Sequence, residues 1–363
     1  MLTGRANAPV LLPLPTTATD CPGAIVPGPR HAVLPRTSAV FAWSRTSQTC
    51  VAHRVVQVWM LACLSTTLAA VLQAQQPAQA TRPTRPAPPA PDIYLAELTI
   101  NRTTAGVGVP MNITDRAGYD NQPSFASDGA SVFFTSVRDD AQADIYRYDI
   151  RTRATSRVTA TAPESEYSAT PIDGGRAISV VRVERDSAQR LWRFPLDGAA
   201  PTVILDRVRP VGYHAWADEH TLALFVLGSP NSLQIADTRS GAADTLATGI
   251  GRSLHRIPGS ARVSFVRKVS ATEWWIESLD PKTRAMERLI RLPDGVEDYA
   301  WLADGSVVCG RGSRLLRWSR GGADEWRELA DFSGANIQGI TRLAVSPRGD
   351  RIAFVAEGRP DSR

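Results

Sequence analysis

Two histidines and one aspartate are the residues of this sequence whose types could do chemistry together: His214, His255 and Asp298. A pair of imidazoles near a carboxylate can bind a metal ion or transfer a proton. A metal site usually needs three or four converging ligands, and the sequence allows only two histidines to be placed. We therefore favour the simpler interpretation, in which these side chains line a wet channel and satisfy one another. We predict no metal, no cofactor and no catalytic residue.

β-Hairpins that recur six times are the elements that must position these residues. Each has a short apolar strand, a tight turn carrying Asp or Gly in most repeats, and a second apolar strand. The six segments align without gaps: QPSFASDGASVFF from Gln122, SATPIDGGRAISV from Ser168, YHAWADEHTLALF from Tyr213, LHRIPGSARVSFV from Leu254, DYAWLADGSVVCG from Asp298 and RLAVSPRGDRIAF from Arg342. The turn position of Gly129 is matched by Gly175, His220, Ala261, Gly305 and Gly349. The spacing, roughly 40 to 50 residues, is typical of blade-type repeats.

A second hairpin follows each of the first five, as in IYRYDIRTRATSRVT from Ile145, so that each repeat has four strands. The last hairpin has no outer partner after it, whereas DIYLAEL from Asp92 has the outer-strand pattern of DIYRYDI from Asp144 with no inner hairpin before it. The two chain ends can therefore complete one blade, which hides exposed strand edges. We predict an all-β, six-bladed β-propeller of four-stranded antiparallel blades, closed by the N-terminal strands.

The repeat alignment predicts which residues surround the central channel. Equivalent positions on the inner strands are Pro123, Ala169, His214, His255, Tyr299 and Leu343. The loops that lead into the inner strands form the more plausible binding surface, because binding residues commonly lie on loops of a rigid scaffold and tyrosine suits protein recognition. The binding residues predicted there are Tyr119, Asp120, Asn121, Glu166, Tyr167, Tyr213, Glu297 and Asp298, with His214 and His255 in the channel.

An export signal is predicted at an unusual distance from the N-terminus. Residues 54–80 combine a basic residue, an apolar stretch of signal-peptide length and small residues in cleavage-site spacing. We interpret residues 1–53 as a non-native or disordered extension, 81–91 as a proline-rich linker and 92–363 as the propeller. The alternative for residues 54–80 is an uncleaved anchor, in which case the protein would contact the membrane.

The net charge argues against a nucleic-acid partner. The formal charge is +5, but most of the excess lies before residue 75, and the remainder of the chain is nearly neutral. No run of basic residues is interleaved with aromatic ones, as nucleic-acid binding would favour. We expect no nucleic-acid binding.

The stretch from Tyr119 to Thr159 resembles the repeat of the TolB propeller family. The shared features are the Pro-Ser-Phe strand, the turn Ser127-Asp128-Gly129, the Phe-Thr-Ser-x-Arg continuation and Asp144-Ile145-Tyr146. The resemblance covers residues 92–363 and implies a periplasmic protein-binding platform. Unlike TolB, the chain has only a proline-rich segment before Asp92. The same repeat occurs in prolyl oligopeptidase-type enzymes, but Gly251-Arg252-Ser253-Leu254-His255 lacks the final glycine of their G-x-S-x-G elbow.

These observations favour a non-enzymatic binding module of the cell envelope, periplasmic or secreted, that acts as a monomer on an envelope protein or peptide. One alternative is a propeller enzyme of lactonase or sugar lyase type with its site at the channel mouth. Another is a sensor or gating domain anchored by the uncleaved signal.

The signal peptide is testable by N-terminal sequencing of the protein from its native host. We expect the mature chain to begin after Ala74 or Ala80, and the precursor to start between Cys50 and Met60, because the signal is otherwise too far from the terminus. Peptides from residues 1–45 in the native precursor would contradict this start. A membrane-bound product that retains residues 54–80 would instead identify an anchor.

Overall fold

The computed structural model describes residues 90–101, 104–138, 142–322 and 325–357. Within these ranges the chain forms strands joined by turns and two short 3-10 turns. No helix in the described part of the chain is long and apolar enough to cross a membrane. The predicted extension at 1–53, the predicted signal at 54–80 and residues 81–89 of the predicted linker lie outside these ranges.

Six antiparallel sheets, one for each blade, follow one another in chain order. Blade 1 contains β4 (Tyr119–Phe125), β5 (Ser131–Val137), β6 (Ala143–Asp149) and β7 (Thr155–Arg157). Blade 2 contains β8 (Ser165–Ile172), β9 (Ala177–Val183), β10 (Gln189–Pro195) and β11 (Thr202–Leu205). Blade 3 contains β12 (Val211–Trp216), β13 (Thr221–Val226), β14 (Ser232–Asp237) and β15 (Ala243–Thr248).

The remaining sheets complete the ring. Blade 4 contains β16 (Ile250–Arg256), β17 (Val263–Lys268), β18 (Trp274–Leu279) and β19 (Met286–Arg291). Blade 5 contains β20 (Tyr299–Trp301), β21 (Val307–Arg311), β22 (Arg314–Trp318) and β23 (Arg327–Asp331). Blade 6 joins β24 (Gln338–Val345) and β25 (Arg351–Glu357) to β1 (Pro91–Ile100), β2 (Ala105–Val107) and the two-residue β3 (Met111–Asn112).

The inner hairpins form because their turn residues satisfy the backbone locally. Asp128 accepts a hydrogen bond from the backbone of Ala130 at 2.8 Å, and Gly129 adopts a left-handed φ of 72°. Asp304 accepts from the backbone of Ser306 at 3.0 Å beside Gly305, whose φ is 80°. An Asp that bonds two residues onward and a glycine with positive φ are the usual components of such turns.

Pairing between β1 and β25 closes the ring. The register runs antiparallel from Pro91 opposite Glu357 to Glu97 opposite Arg351. The inner strands of successive blades contact one another around the ring, and β24 of blade 6 contacts β4 of blade 1. The predicted fold is therefore confirmed, including the blade shared by the two ends of the chain.

Apolar side chains from neighbouring blades pack into common clusters. Phe133 and Ile145 of blade 1 pack with Ala169 and Ile178 of blade 2 in one such cluster. Because each blade buries its faces against two neighbours, the ring is a continuous core around the channel.

The predicted alignment is wrong by one residue in blade 4. In blade 1 the Gly129 N–H donates to the Ala126 carbonyl at 2.8 Å, and in blade 4 the corresponding bond joins Ser260 N–H to the Ile257 carbonyl at 3.2 Å. Ser260, not Ala261, is thus the equivalent of Gly129. The cause is the Pro258-Gly259 turn, whose positive φ of 73° comes one position earlier.

The shift changes the predicted relationship between the two histidines. Leu254, not His255, is the equivalent of His214. The side chains of Leu254 and His214 are both buried. His255 lies one position further along the strand, opposite Ser264, and its half-buried side chain faces the channel. The prediction that the two histidines occupy equivalent positions is therefore wrong.

Shortening a buried side chain of the closing strand β1 should destabilise the whole ring. Ile93 is fully buried in β1, and Ile93→Ala should lower the free energy of unfolding by about 2 to 5 kcal/mol through lost burial and a residual cavity. Urea denaturation measures this loss. Val109→Ala is the control, because Val109 is 91% exposed and its loss should change stability by less than about 0.5 kcal/mol. Equal effects of the two variants would contradict the role of β1.

Candidate functional site

Bulges in the inner strands turn polar side chains into the channel. Gln122, Ser168 and Arg342 occupy equivalent positions in blades 1, 2 and 6, and all three have positive φ, 56°, 56° and 48°. The strand register shifts at the same three places. A bulge inserts one extra residue and redirects a side chain, so the same device recurs around the ring.

The channel holds a cavity of about 530 Å³. The cavity is wide because the inner strands carry mostly small side chains two residues after the bulge position. The residues there are Ser124, Thr170, Ala215, His255, Ala300 and Ala344, of which His255 alone is large. The cavity extends past this level to Pro258 in a hairpin turn. Its volume lies within the range of small-molecule sites, roughly 300 to 1,000 Å³.

One end of the cavity is bounded by what we call the polar ring. Its members are the six equivalent residues at the bulge position: Gln122, Ser168, Tyr213, Ser253, Asp298 and Arg342. Arg342 of blade 6 donates a hydrogen bond to the Tyr213 hydroxyl of blade 3 at 2.9 Å, with its guanidinium carbon 4.9 Å from the centre of the tyrosine ring. Blades 3 and 6 are opposite members of the ring, so this pair crosses the channel.

Arg252, next to the polar ring, forms the closest ion pair with its member Asp298. Arg252 Nη2 lies 2.7 Å from Asp298 Oδ2, and its Nε lies 3.3 Å from Oδ1. Arg342 Nε approaches the same carboxylate only to 3.8 Å. Burial raises the pKa of Asp298, but the Arg342 and Arg252 guanidiniums more than offset this, and the pKa lies below its usual value. Asp298 is therefore ionised between two cations.

Glu297 supports Arg252 from behind the cavity. Its Oε1 accepts a hydrogen bond from the Arg252 backbone at 2.7 Å and lies 3.2 Å from Lys268 Nζ, while its Oε2 lies 3.3 Å from Arg252 Nη1. Gly251 permits this approach, because a Cβ there would lie 2.6 Å from Glu297 Oε1 and 2.9 Å from Val266. Arg252 is thus held at both its backbone and its side chain.

His214 belongs to a buried contact between blades. Its Nε2 lies 2.7 Å from Ser179 Oγ of blade 2, which also accepts a hydrogen bond from Trp216 Nε1 at 3.0 Å. Its Nδ1 has no hydrogen-bond partner. Burial lowers the pKa of His214 to about 3, so the imidazole is neutral near pH 7.

The same contact recurs without a histidine between blades 4 and 5. Tyr299 and Trp301 both donate to Ser264 Oγ at 2.8 Å, and Ser264 occupies the position of Ser179. Because tyrosine replaces histidine in the second copy, the arrangement needs a hydrogen-bonding aromatic group and not an imidazole base. We interpret His214 as part of the packing between blades.

His255 is a separate neutral imidazole on the cavity wall. Its Nε2 lies 3.1 Å from Ser253 Oγ, and its ring packs edge-on to Tyr299 with centroids 4.7 Å apart. Burial lowers the pKa of His255 to about 4, against the opposing effect of Asp298. Among the described residues, no three His, Cys, Asp or Glu side chains come together as a metal-binding group.

The structure divides the residues that the sequence predicted for the site. Tyr213, His214, His255 and Asp298 line the cavity. The other six lie outside its lining: Tyr119, Asp120, Asn121, Glu166, Tyr167 and Glu297.

Several of those six have structural partners. Asp120 is buried against Arg116 at 3.0 Å, and Glu166 is buried beside Arg182 at 3.3 Å. Burial raises the pKa of the Tyr119 hydroxyl, which therefore stays protonated.

Sequence reasoning missed the cationic residues of the site. The cavity lining contains Arg252, Arg256 and Arg342 against a single carboxylate, Asp298. Arg342 opened the sixth aligned segment, at the position equivalent to Gln122, so its place in the ring was available from the alignment. Arg252 is the equivalent of Asn121, which lies outside the cavity lining, so the repeat gave no signal for its place in the site.

The fold and the cavity define the class: a TolB-like six-bladed β-propeller with a ligand-sized channel cavity. Among solved structures, the chain is similar to a putative TolB from Agrobacterium tumefaciens, with 15% identity and a TM-score of 0.57, over 74% of this chain and 99% of that one. No family model and no curated protein matches the sequence.

Other solved structures show weaker similarity. TolB from Acinetobacter baumannii has 11% identity and a TM-score of 0.49, over 74% of this chain and 64% of that one. An oligogalacturonate lyase in complex with manganese has 16% identity and a TM-score of 0.49, over 70% and 81%.

Acid should destabilise the propeller through the two histidines of the cavity lining, His214 and His255. The unfolded chain takes up protons on His214 and His255 near pH 6.5, whereas the folded protein keeps them neutral down to about pH 3 and 4. The stabilisation is complete above pH 6.5 and is lost as the pH falls toward 4, with a slope approaching about 1.4 kcal/mol per pH unit for each histidine. Urea denaturation at several pH values measures the slope.

The variant His255→Gln isolates one contribution. The variant should lose less unfolding free energy per pH unit below pH 6.5 than the wild type does. The reference is the difference in unfolding free energy between the two proteins at about pH 7.5, where both histidines are neutral in the folded and the unfolded state. An unchanged slope between pH 6.5 and 4 would contradict the burial of a neutral imidazole at His255.

Proposed function

We propose that this protein is an exported, non-enzymatic binding module that takes its ligand into the channel cavity. The observation that carries the proposal is the cavity itself, about 530 Å³, bounded at one end by the polar ring. Largely preformed clefts of this size with a few converging polar groups are the usual form of a ligand site. Arg252, Arg342 and Tyr213 are of the residue types that dominate binding energy at interfaces.

The rigidity of the site supports binding by a preformed surface. Arg252 is fixed by Glu297 and Asp298, which hold both its backbone and its side chain. Groups that are already ordered lose less conformational entropy when a ligand arrives. An envelope protein or peptide is the partner that we propose, and the small volume of the cavity favours a short segment of it.

An enzyme of lactonase or sugar lyase type is the competing function, and the geometry favours it less. General-base catalysis needs a titratable group within reach of the substrate. His214 is turned to Ser179 and packed between blades, and Asp298 is ionised but engaged by Arg252. His255 is the imidazole with the better access, and one such residue with Ser253 is a weak basis for a reaction.

An envelope location rests on the sequence at residues 54–80 and on the likeness to TolB propellers. A protein delivered by that signal would act in the periplasm or outside the cell. An uncleaved signal would place the same cavity at a membrane surface, as the sensor alternative requires.

Blocking the cavity tests the proposed function. Thr170→Trp places a large ring at the channel-facing position of blade 2, where Thr170 is half-buried and lines the cavity. We expect at least a tenfold loss of the partner recovered from periplasmic extract of the native organism, measured by quantitative mass spectrometry, because the ligand and the new side chain compete for one volume.

Thr202→Trp is the matched control, because it makes the same substitution on the exposed outer strand of the same blade. Recovery with this variant should equal that of the wild type. Equal recovery with Thr170→Trp would place the binding surface elsewhere. If the wild type converts lactones or acidic oligosaccharides and Thr170→Trp abolishes this activity, the non-enzymatic assignment is contradicted.

A further inference from the structure

The charge of the cavity lining selects an anionic ligand. Three arginines face one aspartate, and the lining histidines add no positive charge near pH 7 because both are neutral. Arg252 is matched by Asp298 at 2.7 Å and by Glu297 at 3.3 Å, and Arg256 is exposed and donates to the Ser260 carbonyl of its own hairpin turn. Arg342, whose side chain is only 18% exposed, reaches that carboxylate at 3.8 Å and otherwise bonds a neutral hydroxyl. Of the two largely buried guanidiniums of the cavity, Arg252 and Arg342, that of Arg342 therefore has the weaker ion pair.

The contact between Arg342 and Tyr213 across the channel favours a ligand that ends at the polar ring. Arg342 and Tyr213 come from opposite blades and meet in the channel, so this pair spans the cavity at the polar ring. A segment that runs through the channel cannot pass this pair without breaking it. A chain terminus can reach it, and a floor with excess positive charge accepts a carboxylate and repels an ammonium.

The inner strands offer backbone groups to an extended peptide. Each inner strand is the terminal strand of its sheet and is paired on one side. Its other edge faces the channel. Side chains already bond the N–H groups of Ser168 and Arg252 and the C=O group of Ala169, and a sheet edge of this kind can also pair with an added strand. Addition of an extended peptide to such an edge is a common mode of peptide recognition.

We propose that Arg342, assisted by Arg252, holds the C-terminal carboxylate of a peptide, and that the carboxylate displaces the Tyr213 hydroxyl from Arg342. This inference rests on the proposed function, because it requires the ligand to occupy the cavity. Guanidinium groups match a carboxylate with two parallel hydrogen bonds, which a hydroxyl cannot offer. The displaced tyrosine leaves its ring as one wall of the subsite.

Matched peptide pools test the carboxylate. The full-length mature protein is incubated with a pool of N-acetylated tripeptides that carry free C-terminal acids, or with the same pool as C-terminal amides, and bound peptides are quantified by affinity-selection mass spectrometry. We expect acids to bind at least about tenfold more tightly than their amides, since charge-assisted hydrogen bonds are lost in the amide. Equal binding of acids and amides, or binding of neither, would overturn the inference.

Two variants assign the preference to these residues with opposite signs. Arg342→Gln should remove the preference for acids over amides. Tyr213→Phe should tighten the binding of acids by about three- to tenfold, because Arg342 no longer has to give up a hydrogen bond to the hydroxyl. Arg348→Gln, on an exposed turn, is the control and should leave the preference unchanged. An increase with Tyr213→Phe cannot come from misfolding, so that measurement holds even if Arg342→Gln is unstable.

The outcomes separate this inference from the proposed function. If peptide acids and amides bind equally, and Thr170→Trp weakens the binding of both equally, the cavity is the binding site but the carboxylate subsite is rejected. Binding of a uronic acid in the cavity, with no binding of the peptide acids, would reject the peptide and identify an acidic sugar as the ligand. A preference for acids that survives Arg342→Gln in a folded variant would place the carboxylate elsewhere.

Discussion

The pairing of β1 with β25 is the constraint on which the rest of the structure depends. It joins residues from the two ends of the described chain in one antiparallel ladder. Arg342 lies on the inner strand of the blade that this ladder completes, and it reaches Tyr213 only because the ring is closed around the channel. Closure therefore sets both the shape of the core and the distance across the candidate site.

The contacts between blades explain why residues capable of chemistry occur at structural positions. Ser179 and Ser264 are buried polar groups that would be costly without hydrogen-bond partners. His214 and Trp216 satisfy the first, and Tyr299 and Trp301 satisfy the second. A histidine at such a place is selected for its shape and hydrogen bond, and its neutrality at physiological pH follows from its burial.

The fold could be predicted from the sequence because each blade repeats local signals: an Asp or Gly turn between two apolar strands. The prediction failed at Pro258-Gly259, where a different turn places the glycine one residue earlier and moves His255 out of register. The candidate site was harder to predict. The bulges at Gln122, Ser168 and Arg342 have no simple sequence signal, and the contact of Arg342 with Tyr213 joins opposite sides of a ring. Local patterns report neighbours along a strand, not partners across a channel.

The positive cavity contrasts with a propeller that is nearly neutral overall. Burial disfavours the charged form of Arg342, but Tyr213 and Asp298 more than offset this, and the pKa of the guanidinium lies above its usual value. The other members of the polar ring are residues without a formal charge: Gln122, Ser168, Tyr213 and Ser253. The Arg342 guanidinium therefore stays charged beside one carboxylate at 3.8 Å, and the proposed ligand carboxylate would be a closer partner for it.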